Sequence, residues 1–356
     1  MTMEMQIRKT KQSKLHKVDF SGLGFGDVFS DHMLRMDYKS GKWSPARITP
    51  FAHVRMLPSL TVLHYAQAVF EGLKAFRTKD GTINVFRAEK HIERFNRSCH
   101  RLCIPEIDRK VFMEGMLKLV ETDREWIPGQ KGYSLYIRPF VFASDNNLGV
   151  HVSKTYKFFI ILSPVGAYYK EGMNPVKLIT AIEHTRAVEG GTGFAKTPGN
   201  YAASLYAAHE AQKKGYTQVL WLDGLHKHYI EEVGTMNVFF YIGDELITPH
   251  LGGTILAGVT RDSVIHLAKD WGIKVVERQL AMDEVIAAWD AGKLREAFGT
   301  GTAAVISPIG SIMHKEKNIV INGGKTGALS MKLYEAITGI QYGEKPDEFN
   351  WVIKIK

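Results

Sequence analysis

The stretch Glu189-Gly190-Gly191-Thr192-Gly193-Phe194-Ala195-Lys196-Thr197-Pro198-Gly199-Asn200-Tyr201 constrains this chain more than any other. Glycines at 190, 191, 193 and 199 admit backbone angles that side chains exclude, so the loop can fold tightly and bring its backbone against a ligand. It holds a single lysine, Lys196. The run Tyr201-Ala202-Ala203-Ser204-Leu205-Tyr206-Ala207-Ala208 that follows is apolar, and a lysine held near such a surface is partly desolvated, which lowers its pKa. The free amine so favoured is what imine formation requires. A solvated loop lysine is the plainer reading of any one glycine-flanked lysine, so the rest of the chain has to decide.

At 356 residues the chain exceeds one ordinary core, and two domains are expected. With 45% hydrophobic and 23% charged residues it reads as a soluble globular protein, and its longest apolar runs, 158–162 and 238–242, have strand length rather than the ~20 residues of a membrane helix. The net charge of +9 is dispersed beyond the first twenty residues and interleaved with acids, which argues against nucleic acid and for anionic small molecules. Cys99 and Cys103 lie in a helical pattern with Ile92, Phe95 and Leu102, as core thiols would. The basic N-terminus lacks the apolar region of a signal peptide, and Glu4 with the absence of an apolar face argues against an organellar leader; a cytoplasmic protein is expected.

Along the chain, a strand enters near Leu34, and a short helical stretch over 64–72 ends at Gly72. A strand over 73–77, a helix over 88–102 and a helix over 110–122 follow. In the strand 133–140, period two puts Tyr136 and Arg138 on one side and Leu135 and Ile137 on the other, with Pro139 marking an edge or a bulge. A strand over 156–162 closes this half, and 164–175 has linker composition. Beyond it come a strand at 176–182, the glycine loop, a helix over 201–214 stopped by Gly215, and a meander of strands from 218 to 248. Further helices are expected near 260–271, 282–291 and 326–338. The domains expected are 1–163, a linker or lid at 164–175, and 176–356, and the class is α+β.

Four readings compete for the loop. A phosphate-binding P-loop with Asp223 as magnesium carboxylate fails at Ala195, where glycine is required, and Pro198 removes a backbone donor. A metal site from His226, His228 and Glu232 lacks support from further histidines at helical spacing. A binding or structural protein with an accidental loop is the third. The fourth is an imine to pyridoxal phosphate, which needs an amine, an acid for the ring nitrogen, a donor for the ring oxygen and several donors for phosphate. The run Glu231-Glu232-Val233-Gly234-Thr235-Met236-Asn237 offers a carboxylate and a hydroxyl, Leu256-Ala257-Gly258-Val259-Thr260 offers N–H groups at a helix N-terminus, and Gly299-Thr300-Gly301-Thr302-Ala303 is a donor-rich turn.

Lys196-Thr197-Pro198-Gly199-Asn200-Tyr201, Glu232-Val233-Gly234-Thr235-Met236-Asn237, Phe70-Glu71-Gly72-Leu73-Lys74-Ala75-Phe76, Leu135-Tyr136-Ile137-Arg138-Pro139 and Phe298-Gly299-Thr300-Gly301-Thr302-Ala303 resemble the branched-chain amino acid aminotransferases of the fold-type IV pyridoxal-phosphate enzymes. The likeness runs from about residue 23 to the C-terminus. Pro198 departs from the family's usual glycine, and Ala304 and Ser307 stand where mammalian members carry a redox cysteine pair, so thiol regulation of that kind is not expected.

The resemblance implies a small N-terminal α/β domain, a larger C-terminal domain with a mostly antiparallel sheet or barrel, and a homodimer. It implies that Lys196 holds the cofactor as an internal aldimine and then shuttles the proton as base and acid. Glu232 would pair with the ring nitrogen, Glu231 would face away by strand parity, and Tyr201 would donate to the ring oxygen. Arg94, Thr235, Thr302 and the backbone at Val259 and Thr260 would hold phosphate. Phe29, Tyr65, Phe70, Tyr136 and Tyr168 would wall the pocket that accepts leucine, isoleucine or valine. Arg138 would meet the glutamate side chain, while Tyr65, Thr302 and the Ala303 N–H would hold the α-carboxylate. Gly166 and Gly172 would let the 164–175 segment act as a lid.

Overall fold

The computed structural model describes residues 5–166 and 173–356, and the chain divides into two compact units. The first takes in residues 5–166, Ala195–Pro198 and Gly339–Lys356. Its strands are β1 (Gln6–Ile7), β2 (His32–Lys39), β3 (Lys42–Trp43), β4 (Arg47–Pro50), β5 (Ala68–Phe70), β6 (Leu73–Arg77), β7 (Ile83–Phe86), β8 (Ser134–Ala143) and β9 (Tyr156–Val165). Its helices are α1 (Thr61–Tyr65), α2 (Ala88–Arg101) and α3 (Arg109–Thr122). The sheet runs β1-β4-β2-β9-β8-β6-β7, with β3 on β2 and β5 on β8, and every pairing but β1 with β4 is antiparallel. The basic N-terminus is therefore part of the fold: Gln6 and Ile7 lie in register with Arg47 and Ile48, and Thr10 donates its N–H to His32 Nε2 at 2.9 Å.

The period-two reading of β8 holds. Leu135, Ile137, Val141 and Ala143 are buried, while Tyr136, Arg138, Phe140 and Phe142 are half-buried on the other face. The buried face meets the apolar stripe of α2, where Phe95 packs edge-on against Phe112 of α3 and Phe158 of β9, ring centroids 5.2 and 5.6 Å away. Asp108 caps α3 by accepting the Val111 N–H at 2.9 Å.

Three local expectations change. The helix expected over 64–72 stops at Tyr65, because Ala66 turns left-handed (φ 52°), and Ala68–Phe70 then pair with β8 as β5. Cys99 is buried as expected, but Cys103 lies past the end of α2 in a left-handed conformation and is exposed. Pro139 is in an interior strand rather than at an edge. Its carbonyl accepts from Glu71 N–H at 2.8 Å, and Glu71 sits in the break between β5 and β6, so the donor that proline lacks faces the one point where the ladder is interrupted.

The second unit comprises residues 173–194 and 199–338. It contains β10 (Val176–Ala181), β11 (Gln218–Leu222), β12 (Ile230–Val233), β13 (Met236–Ile242), β14 (Glu245–Thr248), β15 (Lys274–Glu277), β16 (Leu294–Gly301), β17 (Val305–His314) and β18 (Lys317–Val320). Its helices are α4 (Pro198–Lys213), α5 (Val259–Asp270), α6 (Met282–Asp290) and most of α7 (Ala328–Gln341). The strands follow the order β12-β11-β10-β17-β16-β13, and β13 pairs again with β12, which closes a six-stranded barrel. β14 and β15 extend from β13, and β18 from β17. Three pairings, β10 with β11, β10 with β17 and β14 with β15, are parallel, and the rest are antiparallel, so the mostly antiparallel barrel and the α+β class both stand. α4 begins at Pro198, earlier than expected. Proline suits the first turn of a helix, where its missing N–H has no intrahelical acceptor to lose.

A last strand, β19 (Val352–Ile355), pairs antiparallel with β7. The C-terminal segment thus belongs with the first unit, whereas the sequence assigned everything from 176 to 356 to one domain.

Candidate active site

The short segment Ala195–Pro198 is pinned within the first unit. Lys196 donates its N–H to Ser98 Oγ at 2.9 Å and accepts from the Phe70 N–H at 3.1 Å, and the Thr197 hydroxyl donates to the Ala68 carbonyl at 2.9 Å. The lysine is held by α2 and β5 rather than loose in solvent. Its Nζ lies 4.9 Å from the centroid of the Phe70 ring, and Arg138 Cζ lies 5.0 Å from the same centroid and 5.2 Å from that of Tyr136. Arg138 Nη2 donates to the Tyr136 hydroxyl at 3.3 Å, while its buried Nε has no hydrogen-bond partner. An unmatched guanidinium N–H suits an anionic ligand such as a carboxylate. Gly72 makes the arrangement possible, since a Cβ there would lie 1.7 Å from Tyr136 Oη.

Arg94 is buried on α2 and bound side-on to Glu71: Nε meets Oε1 at 2.6 Å and Nη2 meets Oε2 at 2.9 Å. Glu71 Oε2 also accepts from the Gly72 N–H at 3.0 Å and from His91 Nδ1 at 2.8 Å. Burial alone would push the Glu71 carboxyl up, but the Arg94 charge and then His91 outweigh it and hold it well below the carboxylate range. Burial pushes the His91 imidazole down, against the opposing pull of the Glu71 carboxylate. Burial also lowers the nearby Lys74 ammonium to about 8. Sequence reading missed Glu71, although it lies in the 70–76 run that carried the resemblance.

Other expected wall residues are held by different neighbours. Phe29 stacks on Phe51 with centroids 5.2 Å apart, and Tyr65, 43% exposed, donates its hydroxyl to the Leu148 carbonyl. Tyr168, Gly172 and most of the expected lid lie outside the described residues.

In the second unit, Glu232 of β12, Asn237 of β13 and Thr300 of β16 are direct cross-strand neighbours on the barrel wall. Glu232 Oε1 accepts from Asn237 Nδ2 at 3.1 Å and from the Leu256 N–H at 3.0 Å. Asn237 also donates to the Leu256 carbonyl at 2.9 Å, which ties the carboxylate to the segment leading into the N-terminus of α5 at Val259 and Thr260. Glu232 Oε2 faces Arg186 Nε at 3.1 Å. Arg186 is a second residue the sequence reading missed, and nothing in its local pattern marks it. The Thr300 hydroxyl is buried without a hydrogen-bond partner; Thr302 and Ala303 follow β16 in a half-buried turn. Thr235 is exposed in the turn between β12 and β13, and Tyr201 lies in the first turns of α4. Glu231 is itself buried, and burial pushes its carboxyl up. The glycine loop approaches backbone closely at Gly193, where a Cβ would lie 2.2 Å from the Thr254 carbonyl oxygen.

The rival readings find no such support. Asp223 is occupied by the N–H groups of Leu225, His226, His228 and Tyr229, which close its own turn. Among the described residues no cluster of histidine, cysteine or carboxylate side chains could hold a metal ion, and no helix is long and apolar enough to cross a membrane.

The family model described as amino-transferase class IV matches residues 68–312, a span that contains Lys196, Glu232 and the α5 N-terminus. This chain belongs to the class IV aminotransferases. Branched-chain-amino-acid aminotransferase 2 of Bacillus subtilis (strain 168) is 53% identical to this aminotransferase over 355 residues, covering 99% of this chain and 97% of the relative. Among solved structures, the branched-chain amino acid aminotransferase of Escherichia coli superposes with a TM-score of 0.75 at 27% identity, covering 90% of this chain and 98% of that one. The T.th. branched-chain amino acid aminotransferase complexed with N-(5′-phosphopyridoxyl)-L-glutamate gives 0.72 at 26% identity, covering 89% and 97%.

Proposed function

We propose that this aminotransferase exchanges amino groups between leucine, isoleucine or valine and 2-oxoglutarate, giving branched-chain 2-oxo acids and L-glutamate, with pyridoxal 5′-phosphate as cofactor. The observation that carries the reading is the shared Phe70 ring, with the Lys196 amine and the Arg138 guanidinium both about it at 4.9 and 5.0 Å. The donor set suits the cofactor: an amine, a buried carboxylate at Glu232, an unmatched Thr300 hydroxyl and a helix N-terminus at Val259 and Thr260. When bound, the cofactor supplies an aldehyde for the amine and a ring that draws electrons from the substrate α-carbon.

Lys196 would hold the cofactor's aldehyde, and its amine would serve as the base and then the acid at the substrate α-carbon. Glu232 pairs with the ring nitrogen, and Tyr201 donates to the ring oxygen. Arg94, Thr235, Thr302 and the N–H groups at Val259 and Thr260 hold the phosphate, with Glu71 fixing the plane of Arg94. Phe29, Tyr65, Phe70, Tyr136 and Tyr168 wall the pocket for branched side chains. Arg138 answers the distal carboxylate of glutamate, and Tyr65, Thr302 and the Ala303 N–H answer the α-carboxylate. The molecule works as a cytoplasmic homodimer. A panel of amino donors with 2-oxoglutarate tests the reading: leucine, isoleucine and valine should lead, and a preference for D-amino acids, or no transfer at all, would contradict it.

A further inference from the structure

The Glu232 side chain is 5% exposed, with Oε1 accepting from Asn237 Nδ2 and the Leu256 N–H, and a carboxylate buried this deeply keeps its charge only where it is paired as well as hydrogen-bonded. Arg186, 7% exposed, places a positive charge against Oε2. The atoms are 3.1 Å apart, yet Arg186 Nε has no aligned hydrogen-bond partner, so the contact acts through charge rather than through a directed bond. The guanidinium is oriented from its other end, where Nη2 donates to the Thr254 carbonyl. That carbonyl is the one against which Gly193 packs, so the glycine loop and the cation share a fixed point. Glu231, the next carboxyl along β12, is pushed up by burial, and the Thr254 hydrogen bond and the Arg186 charge act on it in the opposite direction.

We infer that Arg186 is a positioning residue for the ring end of the cofactor: its charge holds Glu232 anionic, so that the proton they share stays on the pyridine nitrogen. The inference rests on the proposed pairing of Glu232 with that nitrogen. The sign follows from distance. A cation nearer the carboxylate than the ring stabilises the charge-separated state, carboxylate and pyridinium, over the neutral state in which Glu232 takes the proton. A protonated ring is the better electron acceptor, so the cation acts on the reaction without touching substrate.

The test is NMR of the holoenzyme reconstituted with pyridoxal phosphate carrying 15N at the ring nitrogen. The wild-type signal should be that of a pyridinium. Arg186→Gln should move it toward neutral pyridine and lower kcat by roughly 10–100-fold while KM for the amino donor changes little. Arg186→Lys should restore both, which a merely structural role would not predict. Glu232→Gln separates the two ideas. If it leaves the pyridinium signal intact, the Glu232 pairing is wrong; if it abolishes the signal while Arg186→Gln preserves it, the pairing stands and the Arg186 inference falls. Should no neutral replacement fold while Arg186→Lys does, Arg186 is structural and the inference is likewise overturned.

Discussion

Gly72→Ala places one methyl group where the structure leaves least room. The added Cβ would sit 1.7 Å from Tyr136 Oη and 2.6 Å from Cζ, against the 3.4 Å at which ordinary contact begins. The Tyr136 ring would have to move by more than an ångström. It cannot swing freely, because Phe25 packs edge-on with centroids 5.0 Å apart and the Arg138 guanidinium lies over its face at 5.2 Å. Overpacking of this kind costs about 1–3 kcal/mol. Displacing Tyr136 also breaks its 3.3 Å contact with Arg138, and a shift of an ångström among substrate-positioning groups costs on the order of 10²-fold in rate. Thermal unfolding and kcat/KM with leucine and 2-oxoglutarate measure the two effects. Adding Tyr136→Ala should recover much of the stability but not the activity, because the two positions are in contact and their effects do not add. Near-normal kcat/KM and an unchanged Tm for Gly72→Ala would refute the packing argument.

Glu71→Ala leaves Arg94 and His91 buried without their carboxylate and should cost about 3–5 kcal/mol in urea unfolding; a loss too small to measure would mean that the cluster relaxes or hydrates. Lys74 gives a pH signature. Its folded-state pKa is lowered to about 8 by burial while the unfolded chain keeps the proton to about 10.4, so between those values the unfolded state binds more protons and stability rises with pH, by roughly 3 kcal/mol in all. Lys74→Met should flatten that rise in denaturant titrations at intervals from pH 7.5 to 10.5, and an unchanged slope would show that Lys74 does not titrate there.

Much of the fold was legible because its elements obey local rules. The 3.6-residue stripe of Ile92, Phe95 and Cys99 marked α2, the alternation through Leu135–Pro139 marked β8, and Gly215, at φ 82°, stopped α4 where a left-handed residue was needed. What local rules could not show is pairing between distant segments. β19 is an ordinary apolar alternation until β7 is found beside it, and barrel closure depends on β13 meeting both β12 and β16. Ala68–Phe70 resembles the end of a helix in sequence, and only its ladder with Phe140–Phe142 makes it a strand.

The site divides in the same way. The loop around Lys196 suggests an imine from its residue types, whereas the choice of Glu232 over Glu231 and the role given to Arg138 come from the family resemblance, with strand parity placing Arg138 only on the face of Tyr136. Glu71 and Arg186 do not show themselves in this way, because each acts through another side chain across sequence separations of 23 and 46 residues.

The central claim is that Lys196 is the residue to which the cofactor attaches. Borohydride reduction of the holoenzyme followed by peptide mass spectrometry tests it. The account predicts a phosphopyridoxyl group on the peptide that contains Lys196, with loss of the yellow colour and of activity together. Modification at another lysine, the buried Lys74 above all, or full activity in protein that carries no such group, would contradict it.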